Sequence, residues 1–232
     1  SYTACRHGRL RYNGTMSIKN LIRNTLIGAL VADVSSLGLH WLYDVKRIAE
    51  VVKNHNDQPV FVPIDARHYR GDVGYFAHGH KHTGMLTQYG ESLRLMIVSM
   101  KACNGQLNTE SVQQHFKNTF GPGGSYQGYI DKPTAGTLQN LASGQTEPSG
   151  IEDDQLPALS RLAPVILAYH KHPDFNQILE HAITITNTHQ DALDYGRVYA
   201  DLLTLILNDT ELKTALQQVA EQAPDTIRKG LK

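Results

Sequence analysis

The chain has 232 residues, 41% of them hydrophobic, enough for one substantial core and for one domain rather than two. Lys plus Arg and Asp plus Glu balance at 22 each, which excludes a general attraction to nucleic acid or an anionic membrane. No run approaches the roughly 18 consecutive apolar residues of a membrane helix, so the expected setting is the cytoplasm, with no membrane partner.

Residues 1–15, "SYTACRHGRLRYNGT", are polar, irregular and without the apolar centre of a secretory signal. They read as an upstream leader or a cloning remnant, with a single domain over 16–232. Ser17 is placed to cap a helix whose apolar positions Ile18, Leu21, Ile22, Leu26, Ala29 and Leu30 have the spacing of a buried stripe, ending near "SSLG". A shorter helix is expected over 45–54. The stretch that follows, through "QPVFVPIDARHYRGDVGYFAHGHKHTG", is rich in Gly, Pro and His and reads as a long loop with a short strand at "VFVP". Loops longer than about 15 residues are uncommon unless they carry function, so this one is a candidate rim of a binding site.

The next helix runs from Thr87 to about Cys103 and carries "TQYG" on its first turn. Further helices are expected at 109–119, 134–143, 155–171, 176–187, 190–208 and 210–222, joined mostly by short turns. "PDTIRKGLK" reads as a two-turn helix capped by Asp225, short enough to suggest a fold whose C-terminal helices are incomplete. The pattern is all-α. The two cysteines, Cys5 and Cys103, form no Cys-x-x-Cys pair, and Cys103 is expected to be a half-buried reduced thiol.

The most distinctive stretch is "GALVADVSSLGLHWLYD", residues 28–44, which sets Asp33 near a helix C-terminus ahead of His40 and Trp41. An acid there opposes the helix dipole and needs partners, so Asp33 is expected to accept hydrogen bonds from a neighbouring loop. Trp41 is placed either to fill the core or to stack on a base. The stretch resembles the opening motif of the ADP-ribosylglycohydrolase superfamily, and its Ala32, Asp33, Leu39, His40, Trp41, Tyr43 and Asp44 resemble the J-type crystallin branch more closely. "GMLTQYGESL", "GYIDKPTAGTLQNLASG", "DDQLPALSRLAPVI" and "TNTHQDAL" resemble further family segments in the same order along the chain.

The resemblance implies the family's all-α fold and a cleft for ADP-ribose or an ADP-ribosylated protein. It implies ligand contacts from Asp33, His40, Thr87 and Gln88, and from Tyr89, Arg161, Thr188 and His189. The hydrolases carry Thr-Asp-Asp-Thr where this chain has Thr87, Gln88, Tyr89 and Gly90, and their acidic pair helps to hold two Mg²⁺ ions. An amide and a phenol do not supply the anionic oxygen that Mg²⁺ favours. The family's second set of ligands, Gly-Gly-Asp-x-Asp-Thr, has no match after His189, and the chain is expected to stop short of it. No metal cofactor is therefore expected.

Other groupings offer chemistry of their own. Glu91, Asp153 and Asp154 would supply the two carboxylates of a glycosidic acid/base pair; the plainer alternative makes Asp153 a helix cap and Glu91 a first-turn acid. His78, His80 and His82 alternate in "HGHKH", so an extended loop would place all three on one side, where such a trio would bind Zn²⁺ or Ni²⁺. The glycines of "FGPGGSYQGY" would bring backbone N–H groups to a phosphate, or simply form a flexible loop. Two functions follow: a hydrolase of N- or O-linked ADP-ribosyl groups with a degraded metal motif, or a catalytically silent crystallin-like structural or ADP-ribose-binding protein. An unrelated helical interaction domain is a third, which predicts no cleft shared by the Thr87 and Asp154 helix starts. Self-association is expected if apolar surface is left bare.

Overall fold

A computed structural model describes residues 17–230. The leader expected at 1–15, with Cys5, lies outside them. Among the described residues there are ten α-helices and no strand, only two isolated bridges, Leu42 with Gly74 and Ile151 with Asn187. The strand expected at "VFVP" is irregular chain.

The helices are α1 (Ile18–Ser36), α2 (Val45–Asn54), α3 (Gln88–Ala102), α4 (Thr109–Phe120) and α5 (Lys132–Ala142). They continue with α6 (Ala163–Tyr169), α7 (Phe175–Thr184), α8 (Gln190–Leu207), α9 (Leu212–Gln222) and α10 (Asp225–Arg228). The single helix expected over 155–171 is divided into a 3-10 turn at Pro157–Arg161 and α6. Pro157 and Pro164 cause the break, because a residue without an N–H is at home only in a first turn. Asp225 is the first residue of α10 rather than its cap, and that helix is one turn long.

Side chains start most of the other helices. Ser17, Asp44, Thr87, Asn108, Asp131 and His189 each accept a backbone N–H at the start of α1, α2, α3, α4, α5 and α8. Each such cap is worth about 1 kcal/mol. The main core is built on α3, whose Leu95, Met96 and Met100 pack with Val112 and Phe116 of α4 and with Leu162, Val165, Ile166 and Ile183. Leu42, Val51 and Val62 form a separate small cluster under the long loop between α2 and α3. Cys103 is free and half-buried.

The expected buried stripe of α1 is only half-buried, at Leu21, Leu26, Ala29 and Leu30, with Ile18 and Ile22 exposed. No residue of this helix is fully buried; Ile18 is 66% and Val31 46% exposed, and among them Leu26 reaches the main core. With the following turn (Ile18–Leu39) this helix is long and apolar enough to cross a membrane by length and composition, a feature that a count of consecutive apolar residues misses because Lys19, Arg23 and Asp33 interrupt the run.

Candidate functional site: an aromatic cleft at the start of α3

The site begins with Asp33 at the far end of α1. Its carboxylate accepts the backbone N–H of Thr87 at 2.8 Å and the Thr87 hydroxyl at 2.5 Å. The Thr87 oxygen in turn accepts the N–H groups of Tyr89 and Gly90, closing the cap of α3. Gly90 makes this possible: a Cβ there would stand 2.2 Å from Asp33 Oδ2. The loop partner expected for Asp33 is thus the cap residue of α3.

Gln88 and Asp131 form the next layer, both buried. The Gln88 amide donates to Asp131 Oδ2 at 2.5 Å, and its carbonyl oxygen accepts the Asp131 backbone N–H at 2.8 Å. Asp131 Oδ1 also accepts Thr134 N–H, capping α5. Burial raises the Asp131 carboxyl above its usual range, while these hydrogen bonds and the charge of Arg161 pull the other way.

Trp41 sits beside them in the left-handed backbone region, φ 63°, which a bulky residue occupies only under strain. Its carbonyl accepts Tyr75 N–H at 3.0 Å across the Leu42–Gly74 bridge, and a Cβ on Gly74 would lie 2.2 Å from that oxygen. The Tyr69 hydroxyl donates to the His40 carbonyl at 2.8 Å. The loop and the α1 exit are therefore pinned together, and the Trp41 ring is presented against Tyr129 (centroids 4.6 Å, 87°) and Tyr75 (5.7 Å, 46°).

These rings open on a cleft of about 730 Å³ lined by Trp41, Tyr43, Tyr75, Tyr89, Tyr129, Asp131, Asp154, Gln155, Leu156 and Pro157. The start of α3 and the Asp154 segment share it, against the expectation of an unrelated helical domain. Burial and the nearby Asp131 push the Tyr89 hydroxyl up to about 12, so it stays a neutral phenol.

Behind the cleft lies a buried basic cluster. His40 Nδ1 and His78 Nε2 share a hydrogen bond of 2.8 Å with rings stacked at 4.9 Å, and His78 Nδ1 is buried without a partner. Burial lowers both rings, His78 to about 4, its fall helped by His40 and Lys81. Lys81 is 6% exposed and holds its ammonium 4.4 Å over the Tyr126 ring; burial lowers it, while Glu91 and Asp33 counter that fall.

Of the residues expected at the site, Tyr89 and Asp154 line the cleft, while Asp33, Thr87, Gln88 and His40 build the wall behind it. Glu91 pairs with Arg94 at 2.6 Å and is not in the lining. Asp153 pairs with Lys132 at 2.6 Å and accepts Gln155 N–H in a local turn; it is not the expected helix cap, because the 3-10 turn that follows starts after Leu156 without a side-chain cap. The three carboxylates Glu91, Asp153 and Asp154 therefore do not converge in the cleft. Arg161 is 0% exposed and donates to the Ala182 carbonyl and the Thr186 hydroxyl, each at 2.9 Å; it holds the end of α7 instead of facing a ligand. Burial lowers its guanidinium to about 10 against the opposing pull of Asp131. Thr188 bonds Glu152, and His189 caps α8, both outside the lining.

The histidine trio divides: His78 pairs with His40, His80 meets the Gln127 carbonyl at 2.6 Å, and His82 is exposed. In the "FGPGGSYQGY" loop the N–H groups of Gly124, Ser125 and Tyr126 are spent on the carbonyls of Gly121, Asn118 and Thr119, so they form no phosphate nest. The residues missed from sequence are Tyr43, Tyr75, Tyr129 and Asp131. Asp131 was legible as a cap, three residues before Thr134 with Pro133 between, but its reach across to Gln88 was not.

The donor set does not fit the Mg²⁺ pair that the family resemblance implies. Gln88 turns an N–H towards Asp131, the Thr87 hydroxyl proton goes to Asp33, and Tyr89 is a neutral phenol. Among the described residues no three His, Cys, Asp or Glu side chains gather as a metal site.

Comparison with known proteins agrees with the motif order. The chain is 22% identical over 219 residues to Crystallin J1A of Tripedalia cystophora, covering 89% of this chain and 64% of that protein. It is 21% identical over 198 residues to Crystallin J1B of the same animal, covering 80% and 58%. The chain spans about three fifths of the length of these curated relatives, both J-type crystallins. A family model described as ADP-ribosylglycohydrolase matches residues 15–231, and with the all-α architecture this places the chain in the ADP-ribosylglycohydrolase family.

Proposed function

We propose that the chain is a metal-independent binding member of its family, holding an ADP-ribose-like small molecule in the aromatic cleft. The observation that carries this reading is the Gln88–Asp131 pair, where a neutral amide engages the buried carboxylate directly and leaves no anionic pair for a divalent ion. Aromatic faces offer a surface for a base or sugar ring, and Asp131 and Asp154 offer acceptors for ribose hydroxyls. The J-type crystallins it resembles favour a structural or binding role over hydrolysis. The test is calorimetric titration of ADP-ribose with and without Mg²⁺. Saturable binding, equal in both buffers, is the expected result; no heat in either, or binding only with Mg²⁺, overturns it.

Hydrolysis of an ADP-ribosyl linkage is a second reading. It is supported by two carboxylates in one cleft, of which Asp131 is shifted upward by burial in the direction a general acid needs. Release of free ADP-ribose from an ADP-ribosylated protein, lost in Asp131→Asn, would favour it.

A further inference from the structure

The charge of the cleft is one-sided. Asp131 and Asp154 contribute carboxylates, the walls are electron-rich rings, and no Lys, Arg or His is among the described residues that line it. Lys132, next to Asp131 in the chain, is not in the lining and is paired with Asp153 at 2.6 Å. A diphosphate gains nothing from such a lining, so the anionic part of any ligand lies outside it. A cation gains twice, from the carboxylates and from the negative faces of the rings.

The ring geometry narrows the class of cation. Trp41 and Tyr129 stand at 87°, Tyr75 and Tyr129 at 66°, and Trp41 and Tyr75 at 46°, with centroids 4.6, 6.3 and 5.7 Å apart. Trp41 and Tyr129 pack edge to face, so no group fits between that pair; Tyr75 and Tyr129, at the wider spacing, leave room for one ammonium against both, with Trp41 beside them, and three differently tilted rings suit a rounded group. A planar guanidinium stacks best on parallel faces and uses one of them. We propose that the cleft is an aromatic cage for a quaternary or methylated alkylammonium head, with Asp131 and Asp154 as its counter-charges. The strained backbone of Trp41 fits this role, because it presents the indole as a wall of the cage instead of letting it sink into the core. The cleft's 730 Å³ leaves room for the body that carries the head. The inference rests only on this cleft being a ligand site, as in the reading above, and assigns it a cationic ligand in place of ADP-ribose.

The chain has one tryptophan, Trp41, in the wall, so its emission reports occupancy directly. The probes are choline and its neutral isostere 3,3-dimethylbutan-1-ol, titrated at matched ionic strength into the wild-type chain and into Asp154→Asn and Tyr75→Leu. Both substituted residues are exposed, so the fold does not depend on them. The expected result is a saturable emission change with choline, at least tenfold tighter than with the isostere, weakened at least threefold by each variant. Equal response to the two probes, no response to either, or variants that bind choline like wild type would overturn the cage. ADP-ribose titrated in parallel separates the two ideas. Binding of ADP-ribose without choline removes the cage and leaves the binding reading; choline without ADP-ribose does the reverse.

Discussion

Replacing Gly90 by Ala tests how the site is built. The new Cβ would stand 2.2 Å from Asp33 Oδ2 and 2.6 Å from its Cγ, so the carboxylate must leave. It takes with it the bonds to Thr87 N–H and to the Thr87 hydroxyl, at 2.8 and 2.5 Å. At about 1.5 kcal/mol for each hydrogen bond to a carboxylate the loss is about 3 kcal/mol. Alanine returns about 1 kcal/mol of helix propensity on the first turn of α3. The net cost is about 2 kcal/mol, or about 4–8 °C in the melting temperature of a domain this size. Thermal unfolding followed by circular dichroism measures it. The decisive comparison is the same substitution in an Asp33→Ala background, where the carboxylate is already gone and only the Leu86 methyl at 2.6 Å has to rotate. There Gly90→Ala is expected to be neutral or stabilising by up to about 1 kcal/mol. An equal cost in both backgrounds, or no cost in the wild type, would refute the account of Asp33 as the latch of α3.

Mg²⁺ at millimolar concentration is expected to leave the melting temperature of the wild-type chain unchanged, and an upward shift would show that the Gln88 donor set does accept the ion. Gln88→Leu strips Asp131 of both its hydrogen bonds to Gln88 and is expected to cost at least about 2 kcal/mol by the same melt. His78 titrates near 6.5 when unfolded and at about 4 when folded, so the unfolded state takes up its proton first and stability is lost as pH falls through that window. His78→Asn should flatten the denaturant midpoint between pH 6.5 and 4, and an unchanged slope there would count against a buried neutral imidazole. Phe116→Ala, at the fully buried centre of α4, is expected to cost about 3–5 kcal/mol in urea unfolding.

The all-α class and most helix limits were legible because local signals agree with the fold. Thr87, Asn108 and Asp131 cap where their spacing says they should, and the apolar periods of α3 and α4 match the faces they bury. Misreadings fall where a local break is passed over or where a distant partner decides. Two prolines divide one expected helix into two pieces, and α1 has the composition of a core helix without the burial. The cleft was half legible: the helix start and Asp154 were placed, but Tyr43, Tyr75 and Tyr129 come from three separate segments whose meeting no local pattern announces. Arg161, in turn, sits in a matching motif yet faces carbonyls, because a motif gives register along the chain and not the direction of a side chain.

The weak burial of α1 reaches beyond that helix. Local opening costs least where few contacts are broken, and α1 has no fully buried residue, yet Asp33 on it holds the cap of α3, whose core side chains are fully packed. A weakly buried segment therefore sets how long the wall of the cleft stays in place. Hydrogen exchange at Thr87 N–H would follow the fraying of α1 rather than the slow global unfolding of α3, and occupancy of the cleft would protect residues far along a helix that no ligand touches.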